Sequence, residues 1–168
     1  MSDAIDLIAE QWVKERPELA DELWPVHVLG RVQRMQRIID KSLKVFWAEH
    51  GLEPGEFDVL TTLRRSGPPY ALTAGAFLKA AMVTSGAITN RIDRMEAKGL
   101  VERVREGGDR RTVLIRLTEH GRELIEGAMA AHLRNYAEIL GSLDRDECEQ
   151  IAAGLRKVLE AHGDTSIT

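Results

Sequence analysis

Two adjacent arginines in the segment EGGDRRTVLIRLTEHG (residues 106–121) are the residues whose types and spacing most directly indicate chemistry. Arg110 and Arg111 follow two glycines and Asp109, which favour a tight turn, so their guanidinium groups are expected at the tip of a hairpin. Guanidinium binds phosphate and is attracted into the narrow minor groove of DNA. The alternative is a surface ion pair with Asp109 or Glu106, but exposed pairs contribute under about 1 kcal/mol. The tip therefore predicts contact with nucleic acid.

A second set of DNA-reading candidates lies on the predicted helix from Thr84 to Lys98. At 100° per residue, Ile88, Ile92 and Met95 share its inner side. Small residues at its start allow close approach of the backbone to a phosphate, and amide, hydroxyl and guanidinium groups match base edges. The candidate DNA-binding residues are Thr84, Ser85, Gly86, Ala87, Thr89, Asn90 and Arg94, together with the two tip arginines. A merely solvated polar face is the alternative.

The distribution of charge supports this interpretation, although the total charge does not. The whole chain has a formal net charge of −4, whereas residues 84–116 contain eight basic and five acidic residues. A basic segment within an acidic protein still attracts phosphates over a Debye length of about 10 Å at moderate salt.

The elements that must position these residues are predicted to be mostly helical. Asp3 to about Glu15 forms a short helix with Ile5, Ile8 and Trp12 on one side, and Pro25 opens a longer one through about Glu49.

A compact helix follows Pro54 and ends at Gly67, and Thr73 caps another. Thr84 or Ser85 caps the next helix, which Gly99 ends. Strands VERVR and TVLIRL then form the hairpin, or wing. Thr118 caps a long helix, and Asp144 with Glu147 forms a capping box for the last one.

These elements predict a mainly α fold with a small β-hairpin wing. Its parts are N-terminal helices (residues 1–50), a winged helix-turn-helix DNA-binding domain (51–118) and C-terminal dimerisation helices (119–168). The long helices carry apolar stripes without a compact core of their own, so we expect a homodimer. The stripes consist of Val28, Val32, Met35, Ile39, Leu43 and Phe46; of Leu124, Ala128, Leu133, Tyr136 and Leu140; and of Ile151, Leu155, Val158 and Leu159, expected to face inward.

Other classes of protein are disfavoured. No apolar run reaches the roughly 18 residues of a membrane span and the start of the chain is acidic, so we expect a cytoplasmic protein with no membrane partner. A single cysteine, Cys148, excludes an internal disulfide; a packed thiol and a redox sensor both remain open. Scattered histidines and the lack of a nucleophile motif or phosphate loop predict no enzyme and no cofactor. A metal sensor using His27, His50, His120 and Cys148 is a further alternative, although their spacing matches no metal motif.

The runs TSGAITNRIDRMEAKGLVERV and DRRTVLIRLTEHG closely resemble the signature of the MarR family of winged helix-turn-helix transcriptional regulators, and the resemblance covers roughly Pro25 to Leu159. It implies a homodimer that binds a pseudo-palindromic double-stranded operator, acting as a repressor. One recognition helix would enter each of two major grooves about 34 Å apart, with a wing in each flanking minor groove.

The chain also resembles the urate-responsive, PecS-like branch of that family. In that branch a tryptophan on an added first helix, an aspartate, and arginines on the recognition helix and wing form a ligand and relay group, and Trp12, Asp58, Arg91 and Arg103 match these places. The resemblance implies a small anionic effector, urate-like or a tricarboxylate such as trans-aconitate, that releases DNA. The alternatives are a neutral aromatic ligand, a core role for Trp12, a static Asp58–Arg91 ion pair, a phosphate or solvent contact for Arg103, and a regulator with no small-molecule ligand.

Overall fold

The computed structural model describes residues 2–53, 55–80, 88–105 and 113–166. Along the chain the elements are α1 (Ala4–Glu15), a 3₁₀ helix (Pro17–Glu22), α2 (Trp24–Glu49), α3 (Glu56–Arg65), β1 (Ala71–Thr73), α4 (Ala74–Ala80), α5 (Ile88–Ala97), β2 (Val101–Arg105), β3 (Val113–Leu117), α6 (Glu119–Ile139) and α7 (Arg145–Ala161). The predicted fold class, mainly helical with a small β wing, is confirmed. No helix in the described ranges has the length and apolar character needed to cross a membrane.

The chain divides into two compact units, Met1–Val45 and Phe46–Thr168. In the first unit, a capping box starts α1: the Asp3 side chain accepts hydrogen bonds from the first turn, and the Asp6 carboxylate accepts one from the backbone N–H of Asp3. Arg31 of α2 holds both carboxylates, at 2.8 Å from Asp3 and 2.7 Å from Asp6. Ile5 lies so close to Gly30 that a Cβ there would come within 2.8 Å of its side chain. Charge pairing and close packing therefore fix α1 on α2.

In the second unit, a three-stranded antiparallel sheet in the order β1-β3-β2 packs against the short helices. The β2–β3 pairing places Val101 opposite Leu117, and this pairing confirms the predicted hairpin. Strand β1, which pairs Ala71 with Arg116, was not predicted, because three residues after a Pro-Pro link carry no readable alternation. The core includes Val59, Leu60, Leu63, Phe77, Ile92, Met95, Val101, Ile115 and Ile125, each no more than 5% exposed.

Caps predicted from single residues are present at most helix ends. Gly67 and Gly99 have positive φ angles of 78° and 69° after α3 and α5, as the left-handed end of a helix requires. Thr73 Oγ1 accepts a hydrogen bond from Ala76 N at 3.0 Å, and Thr118 Oγ1 accepts one from Gly121 N at 3.0 Å. The Asp144–Glu147 capping box of α7 is complete. The predicted caps Thr84 and Ser85 lie outside the described residues.

Several of the predicted apolar stripes are not buried within the single chain. On α1, Ile5 and Ala9 are buried, whereas Ile8 and Trp12 are exposed. On α6 the buried face contains Gly121, Ile125, Ala128 and His132, so the predicted stripe is about one position out of phase. The outer residues of that stripe, Leu133, Tyr136 and Leu140, are exposed, as are the α7 residues Ile151, Leu155, Val158 and Leu159 that were expected to face inward. The 3₁₀ helix that begins at Pro17 was also not predicted.

Candidate DNA-binding and ligand-binding sites

Helix α5 has the two-sided character predicted from its sequence. Ile88, Ile92 and Met95 are buried at 6%, 2% and 0% exposure, and they fix one side of the helix against the core. Thr89, Asn90, Asp93 and Arg94 are exposed on the other side. An exposed row of hydroxyl, amide and guanidinium groups on a firmly anchored helix has the chemistry needed to read base edges. The remaining candidates, Thr84, Ser85, Gly86, Ala87, Arg110 and Arg111, lie outside the described residues.

Arg103 on β2 links the wing to α5. Its guanidinium pairs with Asp93 and with Glu96, and its backbone N–H donates to Glu96 Oε1 at 3.1 Å. The hydrogen bond that Arg103 donates to Asp93, together with the pair with Glu96, raises the pKa of Arg103. Both ion pairs of the Arg103 guanidinium are therefore made with α5.

Arg91 occupies a different position, on the flank of α5 beside the start of α3. A Cβ at Gly55 would overlap its guanidinium, so the arginine head lies directly against this glycine. Gly55 also has φ 81°, a conformation that favours glycine. Arg91 Nε and Nη1 are buried and have no hydrogen-bond partner among the described residues. Within the described part of the chain, these two guanidinium donors are therefore buried and unpaired.

Asp58 is an acidic residue on which the charge of Arg91 acts. It lies on α3, and burial raises the pKa of its carboxyl group, although the positive charges of Arg91 and His132 act in the opposite direction. Among the described ion pairs, all within 4.0 Å, none joins Asp58 to Arg91. The pair is thus coupled through space without a direct contact. This geometry does not match the static ion pair considered as an alternative.

His132 on α6 interacts electrostatically with Asp58 and was not predicted as a site residue. It is 8% exposed, and its ring lies 4.6 Å from that of Phe57 and 4.2 Å from that of Tyr136, measured between centroids. Phe46 stacks on His50 at 4.3 Å and meets Phe57 edge-on at 5.4 Å. His132 Nδ1 is buried and lacks a partner among the described residues. An aromatic cluster with an unpaired imidazole nitrogen therefore adjoins Asp58.

The ionisation of these groups is set mainly by burial. Burial lowers the pKa of His132, and Asp58 opposes that shift. Burial also raises the pKa of Tyr136, with a smaller contribution in the same direction from Asp58. Desolvation thus favours the neutral form of each group.

The structure groups some of the predicted ligand residues and not others. Asp58 and Arg91 influence each other, while Arg103 has its ion pairs with Asp93 and Glu96. Trp12 lies on α1 in the first unit, with its side chain 49% exposed. His132 lies four residues after the buried Ala128 and seven after the buried Ile125. This helical spacing is the sequence signal that could have placed His132 on the buried face of α6.

The residues considered for a metal site do not form one within the described ranges, where no group of three or more His, Cys, Asp or Glu side chains could hold a metal ion. Cys148 is a free thiol of intermediate exposure on α7.

Comparison with known proteins agrees with this architecture. The model of the MarR family matches residues 50–112. The chain is 37% identical over 151 residues to the HTH-type transcriptional regulator PecS of Dickeya dadantii, a match that covers 90% of each chain. A mutant of E. coli MarR in complex with operator DNA is similar in structure, with a TM-score of 0.70 and 27% identity over 84% of this chain and 98% of that one.

A further similar structure is BpsR of Bordetella bronchiseptica, whose DNA binding is regulated by 6-hydroxynicotinic acid, with a TM-score of 0.68 and 26% identity over 78% of this chain and 91% of that one. The two-sided α5, the adjoining β wing and the extent of the PecS match lead to one conclusion: the chain belongs to the MarR family of winged helix-turn-helix proteins and is a DNA-binding transcriptional regulator, not an enzyme.

Proposed function

We propose that the protein is a homodimeric repressor that binds a pseudo-palindromic operator and is released from it by a small anionic effector bound at Arg91. In this proposal Thr89, Asn90 and Arg94 of α5 read the major groove, and the four residues before Ile88 contribute phosphate contacts through the backbone. Arg110 and Arg111 enter the minor groove from the wing. Arg103, through Asp93 and Glu96, keeps the wing and α5 in a fixed relation.

Homodimerisation is supported by the apolar side chains that the single chain leaves in solvent. Val28 and Val32 of α2 are exposed, and so are Leu133 of α6 and Leu155 of α7. Apolar surface on this scale is typical of an obligate interface, and a two-fold dimer places two recognition helices on one face of DNA.

The observation that carries the effector proposal is the pair of buried Arg91 donors that have no partner among the described residues. Guanidinium Nε and Nη groups are the donors that form a two-oxygen contact with a planar carboxylate or urate-like anion. Asp58 lies near enough to influence this charge without pairing with it. The rings of Phe57, His132 and Tyr136 pack together, tilted by 44° and 53°, and form an aromatic cluster near Asp58. Regulation of BpsR by 6-hydroxynicotinic acid, an aromatic acid, is consistent with such a ligand class.

Release would follow from competition between two negative groups. An anion that binds Arg91 repels the Asp58 carboxylate, and a movement of α3 changes the support beneath α5. Moving a population from mostly DNA-bound to mostly free requires about 5 kcal/mol of differential affinity, so the anion must bind the free conformation far more tightly. Trp12 is proposed as an additional contact to the ligand.

Two arginines one turn apart on α5 give a matched test. Arg91 is half-buried beside Gly55 and Arg94 is exposed, yet each truncation removes the same charge. Isothermal titration of urate and of trans-aconitate into wild type, Arg91→Ala and Arg94→Ala should show binding heat lost only in Arg91→Ala. Operator affinity in the absence of effector should fall in Arg94→Ala, by about 1–3 kcal/mol if it contacts a base.

Equal heats in wild type and Arg91→Ala would place the effector elsewhere. Loss of heat in both variants would indicate a general electrostatic effect instead of a specific site.

A further inference from the structure

Helix α5 is anchored by two cations that reach the start of α3. Arg91 lies on α5 and Lys98 directly follows its last residue, Ala97. The two residues are seven apart, which is about two helical turns, and the fully buried Met95 lies between them in sequence. Arg91 rests on Gly55. Lys98 Nζ lies 2.8 Å from Glu56 Oε2 and 3.4 Å from the carbonyl oxygen of Gly51.

Glu56 is unusual because its side chain is a carboxylate with no exposed surface. Its Oε2 accepts a hydrogen bond from Glu53 N at 2.9 Å as well as the contact from Lys98, while Oε1 has no partner among the described residues. Taking a carboxylate out of water is costly unless a cation and hydrogen bonds replace the water. Lys98, which is 37% exposed, is the counter-ion that this buried group requires.

We propose that Glu56 and Lys98 are positioning residues for DNA recognition. The buried carboxylate holds the C-terminal end of α5, so that Thr89, Asn90 and Arg94 keep the orientation that the operator requires. Neither residue belongs to the set proposed to touch DNA or effector, and this role does not depend on any effector. It does rest on the proposed use of α5 as the DNA-reading helix.

A competing role for Lys98 is a direct contact with a DNA phosphate, and the two roles predict different results. A lost phosphate contact weakens binding to every sequence and lowers the salt dependence. A lost positioning contact weakens binding to the operator alone. Glu56→Gln separates them most sharply, because removing a negative charge strengthens non-specific attraction to DNA, whereas loss of positioning weakens the operator complex.

The experiment measures dissociation constants by fluorescence anisotropy over a range of salt. The probes are a duplex selected with wild-type protein from a randomised pool and a scrambled duplex of the same composition. The variants are Lys98→Met, Glu56→Gln, the double variant and Lys98→Arg. Lys41→Met is the matched control, because Lys41 is an exposed lysine of α2 that faces away from its apolar stripe.

The proposal predicts that Lys98→Met and Glu56→Gln each weaken operator binding on the order of tenfold, the size of effect that a coupling contact produces. For Lys98→Met, binding to the scrambled duplex and the salt slope should match Lys41→Met, which removes the same charge. Glu56→Gln should bind the scrambled duplex at least as tightly as wild type, and Lys98→Arg should keep the operator affinity of wild type. The double variant should be no weaker than either single variant, because both lose one interaction. It also leaves no unpaired buried charge, so it reports on positioning even if Lys98→Met fails to fold.

Operator affinity equal to wild type in the double variant would overturn the proposal, even if thermal stability fell. A parallel loss on both duplexes in Lys98→Met, with no loss in Glu56→Gln, would assign Lys98 to a phosphate contact and also overturn it. If wild type binds the two duplexes equally, the proposed DNA-reading role of α5 is itself wrong.

Discussion

At the scale of single residues, charge and burial conflict at three positions near the start of α3. Arg91 has buried donors without partners among the described residues, Glu56 is a fully buried carboxylate, and Asp58 has its pKa raised by burial. Such conflicts cost stability, and they are concentrated where a site must bind a ligand or hold a helix. The proposed roles of Arg91 and Glu56 follow from these conflicts.

The inward orientation of Arg91 was predictable from the sequence, because a helical wheel places it about 60° from the buried pole of α5. The burial of His132 and Glu56 was not. His132 acquires its surroundings from Phe46 and Phe57, which are distant in sequence, and Glu56 acquires its counter-ion from a helix 42 residues later. Local periodicity carries no information about such contacts. The ligand roles of Trp12, Asp58, Arg91 and Arg103 remain predictions.

Protonation of His132 should destabilise the protein. Burial lowers its pKa, so between that pKa and the ordinary value of 6.5 the unfolded chain binds more protons than the folded protein. Stability is therefore highest above pH 6.5 and falls as the pH drops through this window. Asp58, whose pKa is raised above 3.8, acts in the opposite sense at lower pH.

The measurement is urea unfolding at pH 7.5 and pH 5.5 for wild type, His132→Gln and His162→Gln, the last being an exposed histidine at the end of α7. Wild type and His162→Gln should lose the same free energy of unfolding on acidification, and His132→Gln should lose less. An equal loss in all three proteins would show that His132 does not titrate differently in the folded state.

At the scale of elements, the LTEHG start of α6 has a direct structural explanation. Thr118 Oγ1 caps the helix and donates a hydrogen bond to the Gly99 carbonyl oxygen at 2.6 Å. One turn later, Gly121 packs directly on the Leu100 carbonyl, where a Cβ would overlap the oxygen. The end of α5 and the start of α6 are thus joined by the hydrogen bond of the Thr118 hydroxyl and by the close approach of Gly121 to Leu100.

Replacement of two glycines of α6 by alanine should have opposite effects. Gly121→Ala should lower the free energy of unfolding by at least about 2 kcal/mol, because the obstacle is backbone and cannot rotate away. Gly127 is exposed with nothing within 4 Å of an added Cβ, so Gly127→Ala should raise it by up to about 1 kcal/mol. Urea denaturation midpoints at constant m-value test both. Equal effects of the two substitutions would refute the close approach at Leu100.

Most element boundaries were predictable because caps and breakers act locally, as at Thr73, Gly99 and Thr118. Strand β1 was not, since its three residues form a strand only because β3 pairs with them. The predicted α6 stripe does not coincide with the face of α6 that is buried in the single chain, for a related reason. Its predicted positions combine the face that meets α3 with residues exposed in the single chain, and one sequence pattern does not separate two faces.

At the scale of the whole molecule, a chain of net charge −4 must bind a polyanion. In the proposed function, affinity depends on local arrangement: the exposed face of α5 and the wing arginines would supply the contacts, and a homodimer would supply two copies of each. The exposed apolar residues of α2, α6 and α7 are the surface expected to join the copies. In this account the acidic remainder of the chain limits binding to unrelated sequences.

The most direct test of this account is the salt dependence of operator binding by wild type and Arg111→Ala. Arg145→Ala, which removes an exposed arginine from α7, is the control. Arg111→Ala should bind more weakly, and the slope of log K against log salt should fall by about one per wing, hence about two for a dimer, with the control unchanged. Equal affinity and equal slope in Arg111→Ala and wild type would contradict the claim that paired wings hold the operator.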